Sequence, residues 1–260
     1  MLTLRRSGEG GAAARLGPAA VSGDAAVPVA TTALPSVAVL LLARVPTRSV
    51  PWLTSRLVRG PRALAGTPGL RFARVLGSGH AGGFGLRPGF DRGGLFMLFD
   101  DEAAADAFVA ASPLVARYAQ CAAEMLTAKL SAISCRGSWG GMAMATAAAP
   151  DPAAPLAVLT RASIRLRHAA TFWRHAAPSQ AALAGAPGCR LAVGLGEAPL
   201  LRQCTFSLWD SAAAMEAYAR RGAHRTASAA ALQGQWFSES MFLRLVPLSL
   251  HGSWDGRRHG

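Results

Sequence analysis

Six histidines, at positions 80, 168, 175, 224, 251 and 259, are the side chains of this sequence best suited to metal or proton chemistry. Their spacing limits that chemistry. No two stand at i and i+3 or i+4, so no helix face presents a pair of imidazoles, and no HExxH occurs. The 14 acidic residues form no cluster, which argues against a metal centre built from several protein ligands. Cys121, Cys135, Cys189 and Cys204 are widely spaced without a CxxC pair, and read as ordinary buried thiols of a reducing compartment. There is no Gly-x-Ser-x-Gly elbow and no P-loop. Gly194-x-Gly196 lacks the third glycine and the helix of a dinucleotide fingerprint. A cofactor needing a single protein ligand, such as haem, is compatible with so sparse a set.

Among the histidines, His224 stands out. It follows Gly222, which is expected to break a long helix into two pieces. In a helix restarting there, its neighbours at i+3, i+4 and i+7 are Ala227, Ser228 and Ala231, small enough to leave room for a flat ligand beside the imidazole. A partly exposed surface histidine is the other reading. His175, after Phe172-Trp173-Arg174, is either a second ligand candidate or the edge of an aromatic core cluster. His168 lies in a basic turn, His80 in a glycine-rich loop, His251 at a strand end and His259 in the tail.

The elements that would position these residues emerge from an internal repeat. Leu64-Ala-Gly-Thr-Pro-Gly-Leu-Arg-Phe-Ala returns as Leu183-Ala-Gly-Ala-Pro-Gly-Cys-Arg-Leu-Ala, and Gly137-Ser-Trp-Gly-Gly returns as Gly252-Ser-Trp-Asp-Gly. Between them, Phe96-Met-Leu-Phe-Asp-Asp matches Phe206-Ser-Leu-Trp-Asp-Ser. Apolar runs predict first strands at 37–43 and 156–162, then helices at about 49–64 and 169–183, each ended by Pro-Gly. Strand pairs follow at 71–76 with 95–99, and at 190–195 with 205–209. Asp100 and Asp210 are expected to cap Ala-rich helices, before last strands at 129–135 and 242–250. This order is a ferredoxin-like βαββαβ unit used twice. The expected fold is α+β, a tandem duplication forming a dimeric α/β-barrel-like body within one chain. The boundaries are a disordered extension at 1–34, repeats at 35–141 and 156–256, an Ala/Pro linker at 142–155 and a tail at 257–260. The glycine-rich segment 79–94 is specific to the first half and reads as a mobile lid or rim.

Composition narrows the partners. The formal charge of +13 comes almost wholly from arginine, Lys129 being the single lysine. Such a surface favours anionic lipid or an acidic protein, while the absence of a binding motif or an aromatic–basic patch argues against nucleic acid. The apolar stretch at 37–43 is far too short to span a membrane. The segment from Trp52 to Arg62 mixes Trp and Leu with Arg56, Arg59 and Arg62, a pattern suited either to a membrane interface or to a solvated helix face.

The runs Phe172-Trp-Arg-His, Ala192-Val-Gly-Leu-Gly-Glu-Ala-Pro-Leu-Leu-Arg-Gln, Gly222-Ala-His and Phe237-Ser-Glu-Ser-Met-Phe resemble the spheroidene monooxygenase family, the carotenoid ketolases of purple phototrophic bacteria. The resemblance spans about Pro35 to Arg257. It implies a haem enzyme that uses O2 and a ferredoxin to install a keto group at C-2 of spheroidene-type carotenoids. It further implies a cytoplasmic protein, peripheral on the inner photosynthetic membrane. His224 becomes the iron ligand with Ala227 and Ser228 beside the cofactor, His175 is the runner-up, and Arg202 and Gln203 are polar groups near a distal pocket. Another haem enzyme of the same fold, a peroxidase or dehydratase, and a non-catalytic binder of haem or a hydrophobic ligand are the alternatives.

Overall fold

The computed structural model describes residues 36–83, 85–148, 151–198 and 200–259. The N-terminal extension expected over 1–34 lies outside these residues. The chain forms β1 (Val37–Arg44), α1 (Val50–Leu64), β2 (Leu70–Gly79), β3 (Pro88–Phe99), α2 (Glu102–Ala111), α3 (Pro113–Cys121) and β4 (Glu124–Gly137). There follow β5 (Leu156–Ile164), α4 (Ala169–Ala184), β6 (Cys189–Ala198), β7 (Arg202–Trp209), α5 (Ala212–Ala219), α6 (Gly222–Gln233), β8 (Phe237–Trp254) and β9 (Arg257–His259). No helix among the described residues is long and apolar enough to cross a membrane.

Every pairing is antiparallel, in the order β4-β1-β3-β2-β6-β7-β5-β8-β9, and a further pairing of β4 with β8 closes the first eight strands into a barrel. The two seams between the halves are unequal. β4 and β8 pair along Leu126–Gly137, whereas β2 and β6 meet only at Gly77–Gly196 and Ser78–Leu195. Strand alternation sends one set of side chains into the barrel and the other towards the helices. Leu40, Leu42, Phe96, Phe206, Leu208 and Leu243 belong to the inner set, all essentially buried. Each such residue contributes roughly 1.5–3 kcal/mol by burial. The run at β1 is continuously apolar because both of its faces are covered.

Three expectations need correction. The helix caps are Asp101 and Ser211, whose side chains accept from the Ala104 and Ala214 N–H groups. Asp100 and Asp210 instead pair with Arg71 and Arg190, and their own N–H groups donate to the Gly69 and Gly188 carbonyls at 2.8 Å. Both glycines need their positive φ, and a Cβ there would meet the Cβ of Ala104 at 2.6 Å or of Ala214 at 2.7 Å. Second, half of the supposed lid is strand. β2 continues to Gly79 and β3 begins at Pro88, leaving only 80–87 as a connection with a 3-10 turn at His80–Gly82. Gly93 and Gly94 sit inside β3, where a Cβ would strike the Leu76 and Leu41 carbonyls, so they serve close backbone approach. Third, the supposed tail is β9, a hairpin partner of β8. The long Ala-rich helices are each broken, at Ser112-Pro113 and, as expected, at Gly222.

Candidate functional site

Chemistry has three places to occur in this architecture: the barrel interior, the two outer faces of the sheet beneath the helices, and the thin β2–β6 seam. The interior is filled. Trp139, fully buried, stacks on Phe96 at 5.3 Å and meets Phe72 edge-on at 5.4 Å, and Trp254 joins the same cluster. These are the tryptophans of the two Gly-Ser-Trp segments. The first is tied down by charge. Trp139 Nε1 donates to Glu197 at 3.0 Å, and Arg161 bridges Glu197 at 3.0 Å and Glu239 at 2.5 Å. Glu239 also accepts from Ser138 Oγ at 3.0 Å and the Gly141 N–H at 3.1 Å. Burial alone would raise the Glu239 pKa, but the Gly141 N–H, the Ser138 hydroxyl and Arg161 outweigh it and hold the carboxyl below its usual range. Cys204, also interior, has its thiol pushed up by burial, which leaves it unreactive. This network was not anticipated from the sequence, because its members are scattered and only the fold gathers them.

The two outer faces differ. Register places Val75, Leu41, Leu95 and Met97 of the first half opposite α1 to α3, and all are buried in one apolar cluster. At the matching positions of the second half stand Gly194, Thr160, Thr205 and Ser207. Every one is smaller or more polar than its counterpart. Leu41 is 0% exposed, whereas Thr160 is only half-buried. The fully buried cluster of this second face contains Leu156, Trp209 and Met215.

His224 belongs to the layer over that face. Gly222, with φ of +53°, turns the chain between α5 and α6, so that His224 Nδ1 lies 3.3 Å from the Ala219 carbonyl oxygen. A carbonyl only accepts, so Nδ1 carries the hydrogen and Nε2 the lone pair. Burial lowers the His224 pKa, opposed only partly by the Ala219 carbonyl. Its ring lies 4.8 Å from Tyr218, which in turn lies 5.4 Å from Trp209 on the sheet. Ala227 is half-buried and Ser228 exposed. His175, on α4, has Nδ1 2.9 Å from the Thr171 carbonyl oxygen and its ring 5.2 Å from Trp236, at the edge of an aromatic group. Arg202 is exposed at the start of β7, on a different element from His224. Among the described residues, no cluster of three or more His, Cys, Asp or Glu side chains is arranged to hold a metal ion.

At the β2–β6 seam a cleft of about 160 Å³ opens between α1 and the strands. Its walls are mostly apolar or glycine, including Leu53, Leu57, Gly77, Gly194 and Gly196, with Thr54, Ser78, Arg92, Tyr118, Glu197 and Gln203 as polar members. Gln203 lines this cleft, and Arg202 is not among its lining residues. The cleft reaches the second outer face through Gly194, Gly196 and Gln203.

No family model matches the chain. It is 53% identical to spheroidene monooxygenase of Rubrivivax gelatinosus over 248 residues, covering 95% of this chain and 96% of that one. It is 34% identical to spheroidene monooxygenase of Rhodobacter capsulatus over 215 residues, covering 81% of this chain and 89% of that one. Among solved structures, two of aldoxime dehydratases share the fold. One, crystallised with butyraldoxime, aligns with a TM-score of 0.56 at 9% identity over 84% of this chain and 81% of its own. The other aligns with a TM-score of 0.54 at 10% identity over 82% and 81%. Identity this high, over nearly the full length of both sequences, places the chain in the spheroidene monooxygenase family.

Proposed function

We propose that this protein is a haem-dependent monooxygenase that converts the C-2 methylene of a spheroidene-type carotenoid to a ketone, using O2 and electrons from a reduced ferredoxin. The observation that carries the carotenoid assignment is the 53% identity to a spheroidene monooxygenase across 95% of the chain. Turning CH2 into C=O by two successive hydroxylations consumes two O2, four electrons and four protons, and releases three waters.

The residues of the second outer face suit a haem. A neutral imidazole with Nδ1 anchored on the Ala219 carbonyl presents Nε2 as a donor to iron, the arrangement in which ligating histidines are commonly held. Gly194, Thr160, Thr205 and Ser207 are smaller or more polar than the side chains at the matching positions of the first half. When bound there, haem would supply O2 activation. His224 would hold the iron, Ala227 would spare space beside it, and His175 is the alternative ligand. Ser228 and Arg202, both exposed, would act at the rim. The surplus of arginine suits an acidic electron donor and peripheral contact with an anionic membrane.

We also read the two halves as a tandem duplication of a ferredoxin-like unit. The repeated element order supports this, as do the matched Asp100–Gly69 and Asp210–Gly188 hydrogen bonds. The test of function is direct. Purified protein is expected to show a Soret band that shifts with dithionite, and to form a ketone from detergent-dispersed spheroidene when given O2 and reduced ferredoxin. Turnover without a Soret band would remove haem from the reading, and a Soret band without any carotenoid product would point to another haem activity.

A further inference from the structure

The seam cleft has three properties that belong together. It is walled mostly by apolar side chains and by glycines, with Arg92 and Glu197 as its charged members, and its mouth is rimmed by Leu57, Leu86 and Phe90, of which Leu86 and Phe90 are 60% and 58% exposed. At its inner end Gly194, Gly196 and Gln203 belong also to the outer face that carries the proposed cofactor site. On its wall stands Tyr118, 0% exposed, whose hydroxyl is buried with no hydrogen-bond partner. A buried donor left unsatisfied costs about 1–3 kcal/mol, so such a group in a cleft marks a position where a ligand supplies the acceptor.

We propose that the cleft at the β2–β6 seam receives the oxygen-bearing end of a linear isoprenoid chain, with the Tyr118 hydroxyl donating a hydrogen bond to that oxygen. The assignment rests on the carotenoid reading above and adds where and by which end the substrate is held. At about 160 Å³ the cleft accommodates the end of such a molecule and not its whole length, so the remainder emerges past Leu57, Leu86 and Phe90. Apolar walls supply affinity without direction, and the unpartnered Tyr118 hydroxyl, neutral and on the wall formed by α3, supplies register along an otherwise uniform chain. A one-unit slip of an isoprenoid costs the walls little, but it would leave Tyr118 unpaired. The thin seam is what makes the cleft: β2 and β6 share only two residue pairs, and Gly77 and Gly196 contribute no side chains to fill the space.

The test reads binding rather than turnover, and so does not depend on cofactor or electron donor. The induced circular dichroism of the polyene band would be followed as spheroidene, or the oxygen-free acyclic carotenoid lycopene, is titrated in mild detergent into the full-length protein. Wild type is expected to bind both, spheroidene more tightly. Tyr118→Phe, which deletes only the hydroxyl, is expected to weaken spheroidene about three- to tenfold and leave lycopene unchanged. Gly77→Leu fills the cleft. A Cβ at Gly77 has only ordinary contacts, 3.8 Å to Leu57 and 3.9 Å to the Gly196 carbonyl, so the fold tolerates it and binding of both ligands is expected to vanish. A Gly77→Leu protein that keeps the wild-type far-ultraviolet spectrum and still binds overturns the cleft assignment and leaves the enzymatic reading standing. Equal weakening of both ligands by Tyr118→Phe overturns the hydrogen bond. Failure of the wild type to bind either carotenoid overturns the carotenoid reading itself.

Discussion

Burial holds the His224 imidazole below its ordinary pKa, and this has a consequence for acid stability. As pH falls, the unfolded chain takes up the proton first, near the ordinary imidazole pKa of about 6.5, while the folded chain resists. The fold therefore keeps its full stability above that pH and loses part of it as pH falls through it towards the depressed value. Protonation also removes the Nε2 lone pair, so haem affinity should fall over the same interval. Denaturant titrations between pH 5 and 8 are expected to show the slope in wild type and a reduced slope in His224→Ala. The same variant should lose haem or shift its Soret band while folding normally, whereas His175→Ala, which removes a ring beside Trp236, should cost packing and spare the spectrum. A normal spectrum in His224→Ala moves the ligand elsewhere, and haem loss in His175→Ala alone moves it to His175. At this scale the sequence disclosed the histidines but not their company. The parity of β7 puts Cys204, Phe206 and Leu208 inside, hence Gln203, Thr205 and Ser207 outside. That rule, applied along the strand, would have favoured Gln203 over Arg202. Tyr118 gave no signal at all, because only the fold carries α3 to the seam.

The helices report on how tightly each half is assembled. Gly60 lies inside α1, where glycine ordinarily costs about 0.5–1 kcal/mol relative to alanine. Gly60→Ala should nevertheless destabilise, by roughly 1–3 kcal/mol, because the new Cβ would stand 2.5 Å from Val75 Cγ2 and the stiff valine has no easy rotamer to retreat to. Urea unfolding of the variant checks this, and a stabilised protein would mean that α1 rides higher on the sheet than described. The location and type of the main elements were legible, since continuous apolar runs and Pro-Gly stops are local signals. What failed was decided by tertiary contact. In Asp100-Asp101 and Asp210-Ser211 both residues suit a cap, and the choice falls to the second because Arg71 and Arg190 engage the first. The glycines at 93 and 94 look like loop by composition and are strand because the Leu76 and Leu41 carbonyls leave no room for a side chain.

At the scale of the whole molecule, exposed apolar and charged side chains share the segments that border the seam cleft. Leu57 and Val58 are exposed on α1, Leu86 and Phe90 on the connection and strand facing it, and Arg59, Arg62 and Arg87 are exposed on the same segments. A lipid-dissolved substrate has to pass from bilayer to protein, and segments that expose apolar side chains and arginines together match the chemistry of an anionic interface. Basic residues near such a surface contribute roughly 1 kcal/mol each, an attraction that falls off within a Debye length of about 10 Å at 0.1 M salt. The protein is therefore expected to sediment with vesicles containing anionic phospholipid and not with neutral ones, and to be released as salt rises from about 0.1 to 1 M. Arg59→Glu combined with Arg62→Glu should weaken the association well beyond the loss of two attractions, since each change also adds a repulsion. Leu57→Ser with Phe90→Ser should leave the salt dependence intact while reducing total binding, because apolar contact supplements the electrostatic term without being screened. Association that salt does not disturb, released only by detergent, would show that apolar insertion dominates. Equal binding to neutral vesicles would show that the arginines face elsewhere.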